Sequence, residues 1–290
     1  MSIIVNTNVQ SMVAQRNLTK ATDGLNKATT RLSTGLRINN ASDDAAGLYI
    51  ATNLQSQISG LEQCKTNISL GLNVLSIAEG DLTTIQNNIM RIKDLATQAA
   101  SGTYSTSART AIADEIDARI QEINRVAGAS NFNGIKLFSN DGLGAESGGG
   151  LVLHVGNGSD TETEKNNSIT VASSVFSAAT NTSISLTWDK ETSVKTVASA
   201  NAFISTCETA LTNITNRRTA IGVAESRLEM AAEGLSTTLE NVSAAKSTIM
   251  DTDVASEVAA YTKQQILQQI TTSILTQANQ SPSIALSLLQ

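Results

Sequence analysis

Aromatic side chains make up only 3% of this 290-residue chain, and proline occurs once, at Pro282. The first shortage argues against a wide globular core, because large rings supply much of the volume that fills one. The second leaves long stretches without a helix breaker. Cysteine occurs twice, at Cys64 and Cys207, and histidine once, at His154. Two thiols and one imidazole do not make a zinc site by themselves. His154 sits in a predicted strand with no nucleophile motif nearby, and Gly148-Gly149-Gly150 does not match a phosphate-cradling loop. The carboxylates are scattered along helices, where solvated faces are the default. No catalytic, cofactor or metal residue is expected, and the chain is not read as an enzyme.

Other shortages narrow the partners. The net charge is -6, with no cluster of Lys and Arg of the kind that tracks phosphates, so nucleic acid is not an expected partner. No apolar run approaches the roughly 20 residues that span a bilayer, so no membrane insertion is expected. Met1 to Arg16 lacks a basic region followed by a continuous apolar core, so no cleaved secretory signal is expected.

What the chain does have is two apolar ladders of period seven. One runs Leu54, Leu61, Ile68, Leu75, Leu82, Ile89, Ala96; the other runs Cys207, Ile214, Ile221, Leu228, Leu235, Val242, Ile249. No rung is charged. Such a period marks long helices packed along a seam one side chain deep. The ladders predict a chain that goes out along one helix over 43–100 and returns along another over 196–250, with Leu54 facing the Ile249 end and Ala96 facing Cys207. In that register Cys64 and Cys207 lie on the order of 45 Å apart at about 1.5 Å per residue, far beyond disulfide reach, so both are expected as free thiols in seam positions.

Ser42-Asp43-Asp44 reads as the cap and acidic first turn of the outgoing helix, and Ser101-Gly102 as its end. A second helix is expected over 107–127, capped by Ser107 and ended by Gly128. Between 130 and 195 the pattern changes. Asn133-Gly134 and Asn157-Gly158 are turn signals, and 151–155 and 168–171 read as short strands, giving a small β region at the tip of a helical rod. The two ends have thin apolar faces, Val9, Met12, Val13, Leu18, Leu25 and Leu32 at one end and Val254, Val258, Tyr261, Ile266, Ile270 and Ile274 at the other. Alone, each buries too little to offset its ordering entropy. They are expected to fold against each other or against neighbouring copies.

The run from Arg31 to Leu48, RLSTGLRINNASDDAAGL, closely resembles the N-terminal signature of bacterial flagellins. Ile4-Val5-Asn6-Thr7-Asn8, Ala14-Gln15-Arg16-Asn17-Leu18 and the stretch Asn131 to Phe138 are similar to the same family. So are Gln265 to Gln269, Leu275 to Gln280 and the closing Leu286-Ser287-Leu288-Leu289. The resemblance covers nearly the whole chain in order, and paired motifs at both ends are more specific than either alone. It implies a subunit that polymerises into the flagellar filament used for motility, of a minimal form without large outer domains. The alternative is a hook–filament junction protein.

The resemblance also implies an arrangement. Residues 1–43 and 251–290 would form a paired inner core, 44–130 and 196–250 the middle-shell helices, and 131–195 the β region. Arg31, Leu36, Arg37, Asn39, Asp43 and Asp44, with Leu267, Leu275, Leu286, Leu288 and Leu289, would carry assembly. Gly35 and Gly47 would let segments approach closely at the inner–middle boundary. Implied partners are other copies of the chain, an export chaperone on Val254–Gln290, and the filament cap and hook-associated proteins. A host Toll-like receptor would read Arg91, Leu95 and Glu115. The implied location is the extracellular flagellum, reached by the flagellar type III route.

Overall fold

The computed structural model describes residues 7–139, 143, 150–158 and 167–287, without the side chains of 281–287. The elements in order are α1 (Val9–Thr34), α2 (Ala45–Ala99), α3 (Thr106–Ala129), β1 (Asn131–Phe132), β2 (Ile135–Lys136), β3 (Gly150–His154), β4 (Ser168–Ala172), α4 (Ser173–Phe176), α5 (Val197–Met250) and α6 (Val254–Ser287). The fold is mainly helical with two small antiparallel hairpins, as the sequence predicts. The chain forms two compact units. One joins Met1–Ile58 to Glu240–Gln290, and the other is Ser59–Leu239.

In the Ser59–Leu239 unit the ladders become a core. Leu61, Ile68, Leu75, Leu82, Ile89 and Ala96 on α2 are buried, as are Cys207, Ile214, Ile221 and Leu228 on α5. Residues three or four places along, Ala78, Ile85, Ile92 and Ala99 on α2 and Ala210 and Ala224 on α5, complete an a/d stripe. α3 adds Ile112, Ile116, Ile120 and Ile123 from its own four-residue rhythm. Polar clasps on the flank show the antiparallel register. Lys93 pairs with Glu208 at 2.9 Å, and Arg218 reaches Glu79 at 3.1 Å and Gln86. That agrees with the register expected from the ladders. Both cysteines are free and buried. Burial pushes the Cys207 thiol up to about 12, so it stays protonated and packs as a small apolar group.

Local signals set the helix ends, with two departures from expectation. Ser105, not Ser107, caps α3, its Oγ accepting from the Ala108 N–H at 3.3 Å. Gly128 lies inside α3, which runs on to Ala129; the stop comes where the Ser130 N–H bonds the Val126 carbonyl and the Ser130 hydroxyl donates to Asp81. At the end of α2, Arg109 covers two carbonyls, donating to Ala99 and Ser101 at 3.0 Å each.

The β3–β4 hairpin lies along α2. Its Leu153 occupies the space a side chain at Gly71 would need, Asn157 fills the place beside Gly60, and the His154 carbonyl accepts from Asn67 at 3.2 Å. Gly150 opens β3 at φ +118, against the Val171 carbonyl, where a side chain has neither room nor a relaxed backbone. The 177–196 connection is tied to α3 and α5. Trp188 donates to Asp117 at 3.1 Å and packs on Phe203, with ring centroids 5.0 Å apart, and Arg217 donates to the Ser177 carbonyl at 2.8 Å. Of the Gly148–Gly150 run only Gly150 lies within the described residues.

Leu82→Ala removes a fully buried side chain from this seam. It is expected to lower unfolding free energy by about 2–5 kcal/mol, measured by denaturant titration. Gly150→Ala is expected to cost about 1–3 kcal/mol and to raise amide exchange at β3 and β4 ahead of the helices.

Candidate functional site

The Met1–Ile58 and Glu240–Gln290 unit holds most of the predicted assembly residues. Its frame is the antiparallel pair of α1 and α6. Asn8 caps α1, accepting from the Ser11 N–H at 3.0 Å, and donates to the Ala278 carbonyl at 2.7 Å. Further along, Gln268 reaches the Thr22 hydroxyl at 3.3 Å, and the Gln264 side chain lies against Gly24. Arg31 faces Glu257 at 3.7 Å.

The seam between these helices is small and polar. α1 contributes Ala14, Ala21 and Ala28, buried at intervals of seven, with Leu18, Leu25 and Leu32 half-buried between them. α6 contributes Gln264, Gln268, Thr271, Leu275 and Ala278, of which only Ala278 is buried. Most of the larger apolar side chains of α6 are turned away. Val254, Val258, Ile266, Ile270 and Ile274 follow steps of four or eight and are about half exposed, and Leu267 is 38% exposed. On α1, Val9, Met12 and Val13 are exposed, and Val9 and Val13 line an open groove of about 770 Å³ with Ala14, Ile274 and Ala278. The ladders change in the same way here: Leu54, Val242 and Ile249 are only half-buried, and Tyr49 and Ile50 are exposed.

The two linkers that join α1 to α2 and α5 to α6 meet in this unit. Leu36 forms a β-bridge with Asp251, with the Arg37 N–H donating to the Met250 carbonyl at 2.6 Å and the Thr252 N–H to the Gly35 carbonyl at 3.0 Å. The Arg37 guanidinium adds a bond to the Ile249 carbonyl at 2.7 Å. Gly35 turns the chain out of α1 at φ 71, the left-handed ending that glycine adopts without cost. Nothing crowds it, so its use is conformational freedom and not the expected close approach. Gly47 does allow close approach, because an added Cβ would lie 2.7 Å from Ile38 Cδ1, and Ile38 is buried.

Asp43 and Asp44 divide the labour. Asp44 caps α2, accepting from the Gly47 N–H at 2.9 Å. Asp43 pairs with Lys27 of α1 at 2.6 Å and accepts from the Asn39 and Asn40 N–H groups. The bond from Lys27, with that from Asn39, holds the Asp43 carboxyl below the usual aspartate range. Asn39 locks the turn from the other side by donating to the Leu36 carbonyl at 2.9 Å. Arg31, Leu36, Arg37, Asn39 and Asp43 therefore form one junction. Leu267 and Leu275 belong to α6, Leu286 is described only as part of that helix, and Leu288 and Leu289 lie outside the described residues.

In the other unit, Arg91 and Glu115 form an exposed ion pair at 2.9 Å across α2 and α3. Leu95 is 2% exposed and belongs to the core beneath them. A second charged cluster stands on the α2–α5 flank. Burial, then Glu79 and Glu229, raise the Glu225 pKa. The Arg31 and Arg218 Nε atoms are buried without a hydrogen-bond partner. Sequence reasoning did not single out Ala21, Ala28, Lys27, Asp251, Asp253 or Glu257, and it named Ala14 only within a motif and not as a seam residue. The three alanines carried a readable signal in their period of seven; the charged residues carried none, because their partners are remote in the chain.

Among the described residues no helix is long and apolar enough to cross a membrane, and no cluster of His, Cys, Asp and Glu could hold a metal ion. Long helices, a small polar seam between α1 and α6 and rows of exposed apolar side chains are the features of a chain that packs against other chains. Comparison with known proteins makes this specific. Residues 5–142 match the bacterial flagellin N-terminal helical region and 204–289 the bacterial flagellin C-terminal helical region. Polar flagellin F of Vibrio parahaemolyticus is 32% identical over 100% of both chains. The flagellar filament 33 kDa core protein of Treponema phagedenis is 36% identical, over 99% of this chain and 100% of its own. A solved structure of a candidate flagellar hook-associated protein from Vibrio parahaemolyticus shares the fold, at TM-score 0.55 and 18% identity over 72% of this chain and 100% of that one. The chain belongs to the bacterial flagellin family, whose members are structural proteins and not enzymes.

The raised Glu225 pKa makes a signed prediction. A carboxyl whose folded pKa lies above its unfolded value contributes stability below the unfolded value, about 4.3 for Glu, and loses it as pH rises through the folded value. Glu225→Gln should therefore raise the thermal midpoint at pH 7, on the order of 1–2 °C for a unit of this size, and leave it unchanged near pH 4. Calorimetry of both proteins at the two pH values checks this.

Proposed function

We infer that this chain is the structural subunit of a bacterial flagellar filament and that it assembles with copies of itself. The observation that carries the reading is the orientation of α6. Its Ile266, Leu267, Ile270 and Ile274 are exposed while Gln264, Gln268 and Thr271 face α1. A helix pair that spends its polar residues on its own seam has its apolar surface left for neighbours. Burying that surface on association adds about 25 cal/mol per Å² of driving force. An interface in which one surface meets a different surface on the next copy propagates as an open helix. Folding of the ends is thereby coupled to polymerisation.

Residues 1–43 and 251–290 are the inner core, with 44–130 and 196–250 as middle-shell helices and 131–195 as their β region. The linker junction is the spoke between inner core and middle shell. Leu286, Leu288 and Leu289 also serve assembly. An export chaperone shields α6 before assembly, and export follows the flagellar type III route. The filament cap and hook-associated proteins meet the same surfaces at the filament's ends. Arg91 and Glu115 are the exposed part of the Toll-like receptor surface, with Leu95 supporting them from beneath. A hook–filament junction protein is the second reading, favoured only by the shared fold of the Vibrio hook-associated structure.

Purified chain, seeded with short filament fragments or treated with a precipitating salt, is expected to form long filaments in negative-stain electron micrographs. Removal of residues 254–290 should abolish them. Monomers under every condition would overturn the filament reading and favour the junction protein. Ile266, Ile270 and Ile274 changed together to Ser should leave the thermal midpoint of the soluble chain within about 2 °C, since they are already exposed, and reduce polymer yield at least tenfold in a sedimentation assay.

A further inference from the structure

We propose that the cavity beside Arg217 binds a small oxyanion, a carboxylate or a phosphate, which the guanidinium holds by one edge while neighbouring hydroxyl and amide groups donate around it. Arg217 stands where the α5 stripe should be apolar. Ala210 and Ala224 lie seven residues before and after it, and both are buried. A charge drawn into a helix seam needs a compensating partner. Arg218 beside it has one, pairing with Glu79 at 3.1 Å. Arg217 has only backbone carbonyls, its Nη1 donating to Ser177 at 2.8 Å and to Ala178 at 3.2 Å. Among the described residues no carboxylate pairs with it, and its Nε and Nη2 make no hydrogen bond. Burial pushes its pKa down, with no acidic neighbour to oppose the shift.

The cavity holds about 330 Å³, and its polar lining is Ser174, Ser177, Ser183, Asn213, Asn216 and Arg217, with no acidic residue. The wall opposite α5 is fastened in place. Val175, Ala179 and Ile184 are buried, Asn213 donates to the Ile184 carbonyl at 3.0 Å, and the Asn181 N–H donates to Asn124 of α3 at 3.0 Å. Two hydroxyls of the lining are engaged, Ser177 donating to the Ser174 carbonyl at 3.0 Å and Ser183 sharing a bond with Thr180. The Ser174 hydroxyl and the Asn216 amide bond nothing among the described residues.

The chemistry of these free groups selects the ligand. Nε and Nη2 carry two parallel N–H groups on one edge of a planar cation, a fork that matches the oxygens of a carboxylate or a phosphate. The Ser174 hydroxyl and the Asn216 amide can both donate to the same ligand. A neutral molecule would leave the guanidinium charge uncompensated, and a metal cation would meet that charge without an acidic ligand.

The test uses the whole soluble chain, so its result is independent of the filament reading. Inorganic phosphate and acetate are titrated separately, with chloride keeping the ionic strength constant. Nitrogen–proton spectra follow the Arg217 Nε–H and the backbone amides of Ser174, Ser177 and Asn216. Saturable shifts are expected there at concentrations on the order of millimolar, while the amides of Leu82–Ala96 stay unmoved. The anion that saturates first gives the ligand class. Asn216→Asp changes an exposed side chain and places a carboxylate beside the site. It should weaken binding about tenfold or more, and should raise the thermal midpoint in chloride alone by giving Arg217 the partner it lacks. Arg217→Gln should abolish binding; if that variant does not fold, Asn216→Asp decides. Arg125→Gln, at an exposed ion pair in the same unit, should leave the titration unchanged. Shifts that rise without saturating, that chloride reproduces, or that persist at full strength in Asn216→Asp would overturn the site.

Discussion

A helix seam only one side chain deep is the constraint on which the rest of this protein depends. With few aromatic residues available, helices can bury surface only by approaching closely along a regular stripe. Leu, Ile and Ala at alternating steps of three and four achieve this over α2 and α5, with α3 closing the third side. The regularity excludes charge from the stripe and pushes it to the flanks. There Arg218, Lys93 and Glu208 add register to a packing that apolar contacts alone would leave free to slide. Buried cysteine serves the same seam as a small side chain.

The same rule applied to α1 and α6 gives a different outcome. Their shared seam is built from alanine, leucine and glutamine, which bury little area per turn. What stabilises this pair within one chain is largely polar: Asn8 at one end, Gln268 midway, and the linker junction at the other end. The apolar side chains that could have made a tight two-helix core are on the outer faces instead. In a family whose members build filaments, such a division of surface has a direct use. Within the α1–α6 pair, polar contacts set the geometry and the exposed apolar rows remain free of contacts in the chain itself.

Much of the fold was legible because it depends on local periodicity. The long helices, their antiparallel register, the two free thiols and the strands around Leu151 and Ile169 all follow from spacing and turn chemistry within a few tens of residues. The capping of α2 by Asp44 was legible within one residue, whereas the cap of α3 was misplaced by two, since Ser105 and Ser107 are equally good acceptors in sequence. The period-seven alanines of α1 were present in the sequence but overshadowed by leucines, which a reading based on large apolar residues favours. Gly35 was singled out for closeness when its value lies in a left-handed φ.

The sequence by itself determined that this is a family of long paired helices with a small β region, and it determined the face each helix would bury in the Ser59–Leu239 unit. Periodicity suffices there because the stripe is uniformly apolar and has one way to be covered. Only the tertiary structure decided which face of α6 meets α1, since that helix offers both a polar and an apolar stripe and the choice depends on what lies opposite. It also decided that Leu36 pairs with Asp251, that Lys27 meets Asp43, and that Arg91 meets Glu115. These contacts join residues remote in the chain through single hydrogen bonds or ion pairs. They leave no repeating pattern in the sequence, so they become visible only once the backbone has brought the partners together.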